Sequence, residues 1–452
     1  MEKTVGSIRK FGPAVLAAAV LLPRIAWFIL LGGSLPAPPR DQGIYIALAG
    51  RLMQGEGLSY SSEMGWLRSR MAGDSELGES WTGDPEYMFG LTPVETPTAT
   101  VEPGYSLMLA AVFAVFGAVS GSVFFLNCLF SLIGAWAVFC LVRDFWGEKQ
   151  GYLAALIWSL YPYYVYYSAY AMTDTVHISL LPVVLLLTLR AVSAGPGSLW
   201  KGLRAGAACG FLFLVRSTAL FLLPLQLFWV LLRRRWKTAA ALLAGFLLLC
   251  LPWMIRNRAE LGSPVLLPTK GSLNLWMRNH PEVLALEDIR IPEAVMRTVE
   301  KEELLRYPDF SDAGTELERS AIIGARAREF VVSNPLLFLY LSMRRAVTFI
   351  SPLGGTVDHP AAAAAGLLLY VPLLIMALLE LLHRRREGAA LLLVFTFILY
   401  FLLHSMAHGG VRYRLPVDMV LMVLSALFIG RKAGWKDRGG RMPRKPEEAE
   451  RP

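Results

Sequence analysis

The chain has 452 residues, of which 55% are hydrophobic and only 17% are charged. Globular proteins carry charge on about 25% of their residues, so the composition excludes a soluble enzyme of two or three conventional domains. The formal net charge of +9 is distributed in short clusters between apolar runs. This distribution is typical of the cytoplasmic loops of a membrane protein, and no nucleic-acid partner is expected.

Solid apolar runs predict an all-α polytopic membrane protein with about ten transmembrane helices. The first run follows Lys3, Arg9 and Lys10 and extends from about 11 to 33, which is long enough to span a bilayer. It predicts a signal anchor with its amino terminus inside. The remaining predicted crossings lie at about 121–143, 151–170, 175–192, 203–217, 218–232, 238–255, 361–382, 388–404 and 416–430.

Two further apolar segments are predicted to be juxtamembrane helices. Tyr105–Phe116 is short, and counting it as a crossing would place both Arg-Arg-Arg runs outside, against the positive-inside rule. Pro335–Ser351 carries Arg344 and Arg345 near its middle. A charge at the bilayer centre costs about 2.5–3.5 kcal/mol, so this segment is predicted to lie at the interface.

The alternation of crossings predicts one transmembrane module over residues 1–430, with long outward-facing loops at about 34–104 and 256–360. Residues 431–452 are charged and too poor in apolar residues to fold, so a disordered cytoplasmic tail is expected. Both termini are then cytoplasmic. The compact loops and the absence of eukaryotic retention signals favour the plasma (inner) membrane of a bacterium.

Small residues and cysteines suggest packing rather than chemistry. Gly202, Gly206 and Gly210 recur at helical spacing, which predicts a close approach of two helices. The four cysteines all fall inside apolar runs, and they are interpreted as buried, unpaired side chains.

Three acidic residues approach the membrane on the predicted outer surface. Asp41 follows the first crossing, Glu102 precedes the short apolar segment, and Asp174 lies at the next outward turn. A carboxylate at that depth is costly unless it is paired or functional. A single Asp at a helix end is more often a cap, but three acids on one surface indicate a candidate site.

Motifs around these acids resemble the GT-C glycosyltransferases, the polyprenyl-phosphate-sugar-dependent enzymes related to protein O-mannosyltransferases and to the aminoarabinose transferase of lipid A. Asp41 with Tyr45, Ala49 and Gly55-Glu56-Gly57 is similar to their first luminal loop. The segment from Glu102 to Leu107 resembles their Pro-Gly-Tyr-Pro-Leu-Leu stretch.

Later segments continue the resemblance in the same order, to about residue 430. They are Tyr161–Asp174, which ends in the second acid; Pro252–Asn257, at the start of the long loop; Gly271–Trp276, a glycine-asparagine-leucine motif; and Arg412–Pro416, an Arg-Tyr-x-x-Pro element. The chain departs from the family in having Asp as the second acid, where Glu is more usual. It also has a long acidic insertion at about 61–100.

The resemblance implies a GT-C-like fold and the transfer of a hexose or pentose from a polyprenyl phosphate on the non-cytoplasmic face. No nucleotide is expected, in agreement with the absence of a Gly-rich phosphate loop from the sequence. Asp41 is the predicted general base of an inverting transfer. Asp174 and Glu102 are predicted to orient the acceptor or to hold a divalent metal, and the metal is left open.

The leaving lipid phosphate needs cationic groups as charge builds on its oxygen. Arg256, Arg412 and Arg414 are the candidates, because a planar guanidinium binds phosphate bidentately and keeps its charge. Asn257, Asn274 and Tyr413 lie in the same motifs and are predicted to contact substrate. The acceptor can be a protein, a lipid or a glycan, and the bilayer is the remaining expected partner.

Two other functions remain open at this point. A transporter or flippase of lipid-linked sugars would show repeats between its halves and ionisable residues at midplane. No such repeat is evident in the sequence and the acids lie at one surface, which favours an enzyme. A non-catalytic cell-envelope assembly protein is the second alternative.

Overall fold

The protein is described here by a computed structural model that covers residues 2–36, 40–60, 96–193, 198–279, 292–296, 314–352 and 360–438. Its first nine α-helices are α1 (Glu2–Leu30), α2 (Arg40–Met53), α3 (Pro103–Phe116), α4 (Ser120–Phe145), α5 (Glu148–Leu160), α6 (Pro162–Tyr167), α7 (Thr173–Ser193), α8 (Leu199–Val215) and α9 (Leu222–Leu231). A 3-10 helix, Ser217–Phe221, joins α8 to α9.

The second half continues with α10 (Trp236–Leu261), α11 (Lys270–Met277), α12 (Glu293–Met296), α13 (Glu316–Ser333), α14 (Pro335–Ile350), α15 (Pro360–Arg384), α16 (Gly388–Met406) and α17 (Val411–Lys432). Two-residue strands, β1 (Ser59–Tyr60) and β2 (Thr96–Pro97), form an antiparallel ladder with Ser59 opposite Pro97. The predicted all-α membrane architecture is confirmed.

Seven helices within the described residues are long and apolar enough to cross a membrane. They are Gly12–Leu30, Ser120–Phe145, Thr173–Ser193, Trp236–Leu261, Leu367–Arg384, Gly388–Met406 and Val411–Lys432. The three other predicted crossings correspond to shorter elements: α5 with α6, α8, and the 3-10 helix with α9. The total of ten crossings therefore stays a prediction.

The two predicted juxtamembrane segments both form helices. At 1.5 Å per residue, α3 is about 21 Å long, less than the ~30 Å of a bilayer core. It begins with Pro103, whose missing N–H suits the first turn, and ends at Gly117 with φ +84. In α14, Arg345 turns into the protein and donates to Met406 O at 3.0 Å and Asn279 Oδ1 at 2.9 Å.

The closest helix pair is α8 with α10, at the predicted glycine motif. A Cβ on Gly206 would lie 1.8 Å from Leu242 O, and one on Gly202 would lie 2.4 Å from Thr238 O. Only glycine permits such an approach of two backbones, so the predicted close packing is confirmed. The four cysteines are free and buried, as expected.

The opposite ends of the helices, on the predicted cytoplasmic side, meet the first residues after α17. Lys436 O accepts from Gln150 Nε2 at 3.0 Å, and Trp146 O accepts from Arg438 N at 3.2 Å. Asp437 is paired with Arg384. The structure thus places residues 431–438, the first part of the predicted tail, while 439–452 lie outside the described residues.

Candidate functional site

Asp174 lies in the first turn of α7 and is the centre of the candidate site. Its carboxylate is 1% exposed. Arg216 Nη1 donates to Oδ1 at 2.8 Å, and Arg412 Nη2 lies 3.0 Å from Oδ2. Arg412 Nε also lies 3.1 Å from both oxygens. Residues far apart in the sequence are therefore joined by charge-assisted hydrogen bonds, and the group keeps one net positive charge.

Tyr413 packs beside both arginines. The guanidinium of Arg216 lies 5.5 Å from the centre of its ring, and that of Arg412 lies 5.9 Å away. The rings of His404 and His408 each lie 5.0 Å from Tyr413. The aromatic ring thereby holds the two cations in a fixed arrangement through its negative face.

Nearby charges keep Arg216 protonated although its side chain is buried. Burial alone would lower the pKa of Arg216, but the Asp174 carboxylate outweighs burial and raises that pKa above its ordinary value. Burial, reinforced by Arg278, holds the pKa of His408 well below its usual range. His408 is therefore neutral at physiological pH, and the positive charge of the site belongs to arginine.

Glu102 meets the same place from α3. It occupies the position before the helix, and its Oε1 accepts from the backbone N–H of Ser217, directly after Arg216. The start of α3 and the end of α8 approach closely at Gly104, where a Cβ would lie only 2.6 Å from Leu214 O. Glu102 is thus brought beside the arginine cluster, where it binds the start of the 3-10 helix.

The start of α2 also reaches the turn that precedes Asp174. Asp41 lies in the first turn of α2, and its side chain lies outside the described residues. The next side chain, Gln42, is buried, and its Oε1 accepts from Ala171 N at 2.5 Å. Ala171 precedes Asp174 by three residues, so the backbone that carries Asp41 packs against the turn that carries Asp174.

Arg256 connects two outer segments near the end of α10. Its Nη2 donates to Leu58 O at 2.6 Å and its Nη1 donates to Thr98 O at 2.8 Å. Asn257 accepts from Arg256 at 3.0 Å and donates to Val265 O at 2.9 Å. These two predicted substrate-binding residues hold the loops around the site together.

A largely apolar cleft of about 570 Å³ lies between α2, α3, α8 and α10. Its apolar lining includes Leu107, Leu214, Leu249 and Trp253, and its charged lining residues are Arg256, Glu56 and Glu260. Leu107 is 48% exposed, so the cleft continues onto the apolar outer surface. The lining also includes Pro103, which follows Glu102 in the sequence, and Leu214, which lies two residues before Arg216.

Two predicted site residues have other surroundings. Arg414 is fully buried, pairs with Asp418 at 2.9 Å, and donates to the carbonyls of Phe349, Ile350 and Ser351 at the end of α14. Asn274 lies in α11, which packs on α13 through Trp276. The described contacts of the arginine cluster include neither residue.

Arg216 is the functional candidate that the sequence reasoning missed. The same alternation of crossings that located Asp174 puts the break between the runs 203–217 and 218–232 on the outer surface. An arginine at that break was the available signal. No short motif marked it, and its partner Asp174 is 42 residues away.

A divalent metal has no ready-made site among the residues that the structure describes, where no group of three or more His, Cys, Asp or Glu side chains could hold one. Both oxygens of Asp174 accept guanidinium N–H groups, so a metal there would have to displace an arginine. The side chain of Asp41 lies outside the described part, and the metal, which the sequence left open, stays open.

Comparisons with known proteins identify the fold as that of the GT-C glycosyltransferases. Over 94% of its length, the chain is similar to AglB, the archaeal oligosaccharyltransferase from Archaeoglobus fulgidus determined with an inhibitory peptide and a dolichol-phosphate, with a TM-score of 0.56 and 14% identity. The apo form of that enzyme matches with the same TM-score over 93% of the chain. The chain spans 50% of the length of AglB.

In sequence, residues 97–255 match the family model described as dolichyl-phosphate-mannose-protein mannosyltransferase. This segment is less than half of the chain and contains Glu102, Asp174 and Arg216. ArnT from Cupriavidus metallidurans bound to undecaprenyl phosphate is a more distant match, with a TM-score of 0.42 and 12% identity over 94% of this chain and 79% of ArnT. No curated protein matches the sequence.

Proposed function

We propose that the protein is a membrane glycosyltransferase that moves a sugar from a polyprenyl-phosphate donor to an acceptor on the non-cytoplasmic face. One observation carries the proposal: Asp174, Arg216 and Arg412 form a buried cluster with a net positive charge, and a largely apolar cleft is lined by Leu214 of α8, the helix that Arg216 follows. A lipid phosphate has the matching chemistry, with an anionic head and a long apolar chain.

The arginine cluster supports the phosphate end of this donor. Arg216 and Arg412 are held by Asp174 and Tyr413, so they need little reorganisation when charge builds on a leaving phosphate. Asp174 acts in this scheme by positioning the arginines, a role different from the acceptor orientation or metal binding predicted from sequence. Arg414 is not included, because its guanidinium caps α14.

The cleft supports the prenyl end. Its leucine, proline and tryptophan side chains offer apolar surface to a prenyl chain, and Leu107 of that lining is 48% exposed. AglB was determined with a dolichol-phosphate, which is a ligand of this chemical kind. Arg256, in the wall of the cleft, would then lie along the lipid near its head.

Asp41 completes the proposed mechanism as the general base. It takes the proton of the acceptor hydroxyl or amino group while the lone pair of that group forms the bond to the anomeric carbon. The bond from the anomeric carbon to the phosphate oxygen breaks, and its electron pair stays on the phosphate beside Arg216 and Arg412. Attack opposite the leaving group inverts the anomeric configuration.

The experiment that tests this function uses membranes containing the expressed protein and a panel of undecaprenyl-phosphate hexoses and pentoses. We expect release of undecaprenyl phosphate with at least one donor. Asp41→Asn should reduce turnover by about 10²–10⁴-fold, the usual contribution of a general base. Arg216→Met should reduce it by about 10²–10³-fold, as the loss of one charge-stabilising group does.

Arg190→Met is the matched control, since Arg190 also pairs with an aspartate, Asp144, at the opposite end of the helices. Its turnover should stay near that of the wild type. Unchanged turnover in Asp41→Asn would contradict the mechanism. Movement of the lipid-linked sugar across proteoliposomes without release of the phosphate would instead identify a transporter.

A further inference from the structure

The segment between α6 and α7, residues 168–172, is an irregular turn inside the protein. Ser168, Ala169 and Ala171 have no exposed surface, and Met172 is 1% exposed. Buried non-helical backbone is tolerated only where the protein satisfies its N–H and C=O groups. The partners of this turn therefore decide where the following helix, and Asp174 in its first turn, is placed.

Asn127 supplies the donors for the turn. It is fully buried in α4, and its Nδ2 donates to Ser168 O at 2.9 Å and to Tyr170 O at 2.8 Å. Both protons of the amide are used in this way. Thr175 Oγ1, at the start of α7, donates to Tyr167 O at 3.0 Å, so the carbonyl at the end of α6, directly before the turn, is also satisfied.

Gln42 supplies the acceptor on the side of α2, where its Oε1 binds Ala171 N at 2.5 Å. Asn127 therefore binds the turn through its amide nitrogen, as a donor, and Gln42 binds it through its amide oxygen, as an acceptor. Their orientation follows from their partners, because reversing Asn127 would place its oxygen against two carbonyl oxygens. The turn is thus held between α4 and the first turn of α2.

Further hydrogen bonds brace Asn127. Its backbone carbonyl accepts from Ser131 Oγ at 2.8 Å, and that hydroxyl accepts from Arg24 Nε at 3.1 Å. Arg24 is buried in α1, and its Nη1 also donates to Ser159 O in α5 at 2.9 Å. The network ties α1, α4 and α5 to the turn, so the position of Asn127 is set by three helices.

We propose that Asn127 and Gln42 are positioning residues that together fix the spacing between Asp41 and Asp174. The inference rests on the proposed function for the roles of those two acids, while the clamp itself rests on the hydrogen bonds. Amides suit the task because they bind both donors and acceptors without placing a charge in the membrane. They also do not titrate, so the spacing is independent of pH.

The test compares variants that keep or remove each hydrogen bond. Asn127→Asp is nearly isosteric but loses both donors, and Gln42→Leu loses the acceptor. Gln42→Glu keeps an acceptor for Ala171 N and adds no charge at a pH where the buried carboxyl is protonated, so it should behave there like the wild type. We expect amide hydrogen exchange over 168–172, compared with wild type at the same pH, to rise about tenfold in the first two variants and to stay near wild type in protonated Gln42→Glu.

Gln226→Leu is the matched control. Gln226 is also a buried amide, but it binds Thr188 Oγ1 at 2.6 Å between α9 and α7, away from the turn. Its loss should leave exchange over 168–172 unchanged, even where the melting temperature falls. An equal rise in this control, or no rise in either Asn127→Asp or Gln42→Leu, would overturn the clamp.

Turnover gives the second readout. A displaced turn should lower kcat about tenfold or more while the KM for the polyprenyl-phosphate sugar changes little, since the positioning affects the reacting geometry more than donor binding. If kcat and KM in Gln42→Glu were the same as in Gln42→Leu, the positioning role would be contradicted. A wild-type chain without transferase activity would refute the proposed function, and hydrogen exchange would still decide whether the clamp exists.

Discussion

At the scale of single residues, Asp174 shows how a buried acid can be assigned. An ionised carboxylate inside a protein needs compensation, and here two guanidinium groups supply it. Its sequence position allowed a helix cap, an acceptor-orienting group or a metal ligand. The observed partners favour a fourth role, which is to hold two arginines close together against their mutual repulsion.

This role predicts the effect of Asp174→Asn. The substitution keeps the shape of the side chain but removes the negative charge that lies between Arg216 and Arg412. We expect a loss of stability of about 3 kcal/mol, as when one member of a buried pair is removed. Thermal unfolding in detergent measures the change. The double variant Asp174→Asn/Arg216→Met should recover part of the loss, and no recovery would contradict direct repulsion.

Arg412 and Arg414 illustrate what a motif cannot separate. Both belong to the segment that resembles the Arg-Tyr-x-x-Pro element, and both were predicted to bind phosphate. Residues two apart point to nearly opposite sides of a helix. The start of α17 therefore turns Arg412 to Asp174, while Arg414 binds Asp418 and the end of α14.

At the scale of elements, the contact of α8 with α10 places Arg216. The backbones touch along the glycine motif, so the end of α8 has little freedom to move relative to α10, which carries Arg256. The approach of α3 through Gly104 adds Glu102 to the same region. Small residues in three helices thus determine how closely the charged groups at their outer ends assemble.

The same substitution at two glycines should have opposite effects. In Gly206→Ala the new Cβ would meet the backbone oxygen of Leu242, which cannot move aside as a side chain can. We expect a loss of about 1–3 kcal/mol, typical of overpacking. In Gly121→Ala nothing lies within 4 Å of the new Cβ, so better helix propensity should leave stability equal or slightly higher. Thermal unfolding of both variants makes the comparison, and similar losses would contradict the packing argument.

At the scale of the whole molecule, the site depends on which helix ends share one membrane surface. Asp174, Arg216, Arg412 and the start of α2 are joined by hydrogen bonds, so they lie on one side of the protein. That arrangement agrees with the alternation of crossings derived from basic clusters. The direction in which this side faces remains a prediction.

Cysteine labelling at the two ends of α10 tests the direction. Leu267→Cys follows the outer end of the helix, Lys237→Cys begins the inner end, and both positions are exposed. The four native cysteines are buried and should give little background. We expect a membrane-impermeant maleimide to label Leu267→Cys in intact cells and Lys237→Cys only after permeabilisation. The reverse pattern would invert the proposed topology.

The sequence alone determined that this protein is surrounded by lipid, and it gave the approximate positions of its helices. Continuous apolar runs can only be stabilised by lipid or by one another, and basic clusters mark the side on which loops remain. Asp174 was recognised because a carboxylate at the end of an apolar run is costly unless it has a partner, and Arg412 because it lies in the segment that resembles the Arg-Tyr-x-x-Pro element. These inferences use local composition, which is readable without a fold.

Only the tertiary structure decided which partners those charges have. Arg216 became part of the site through a 2.8 Å contact with Asp174, and Asn127 and Gln42 became visible through the carbonyl and amide groups that they bind. Arg414 is not part of the cluster, because its position on α17 directs its side chain to Asp418 and to the end of α14. Such choices depend on distances between residues far apart in the chain, and these distances are set by the packing of helices rather than by any local pattern.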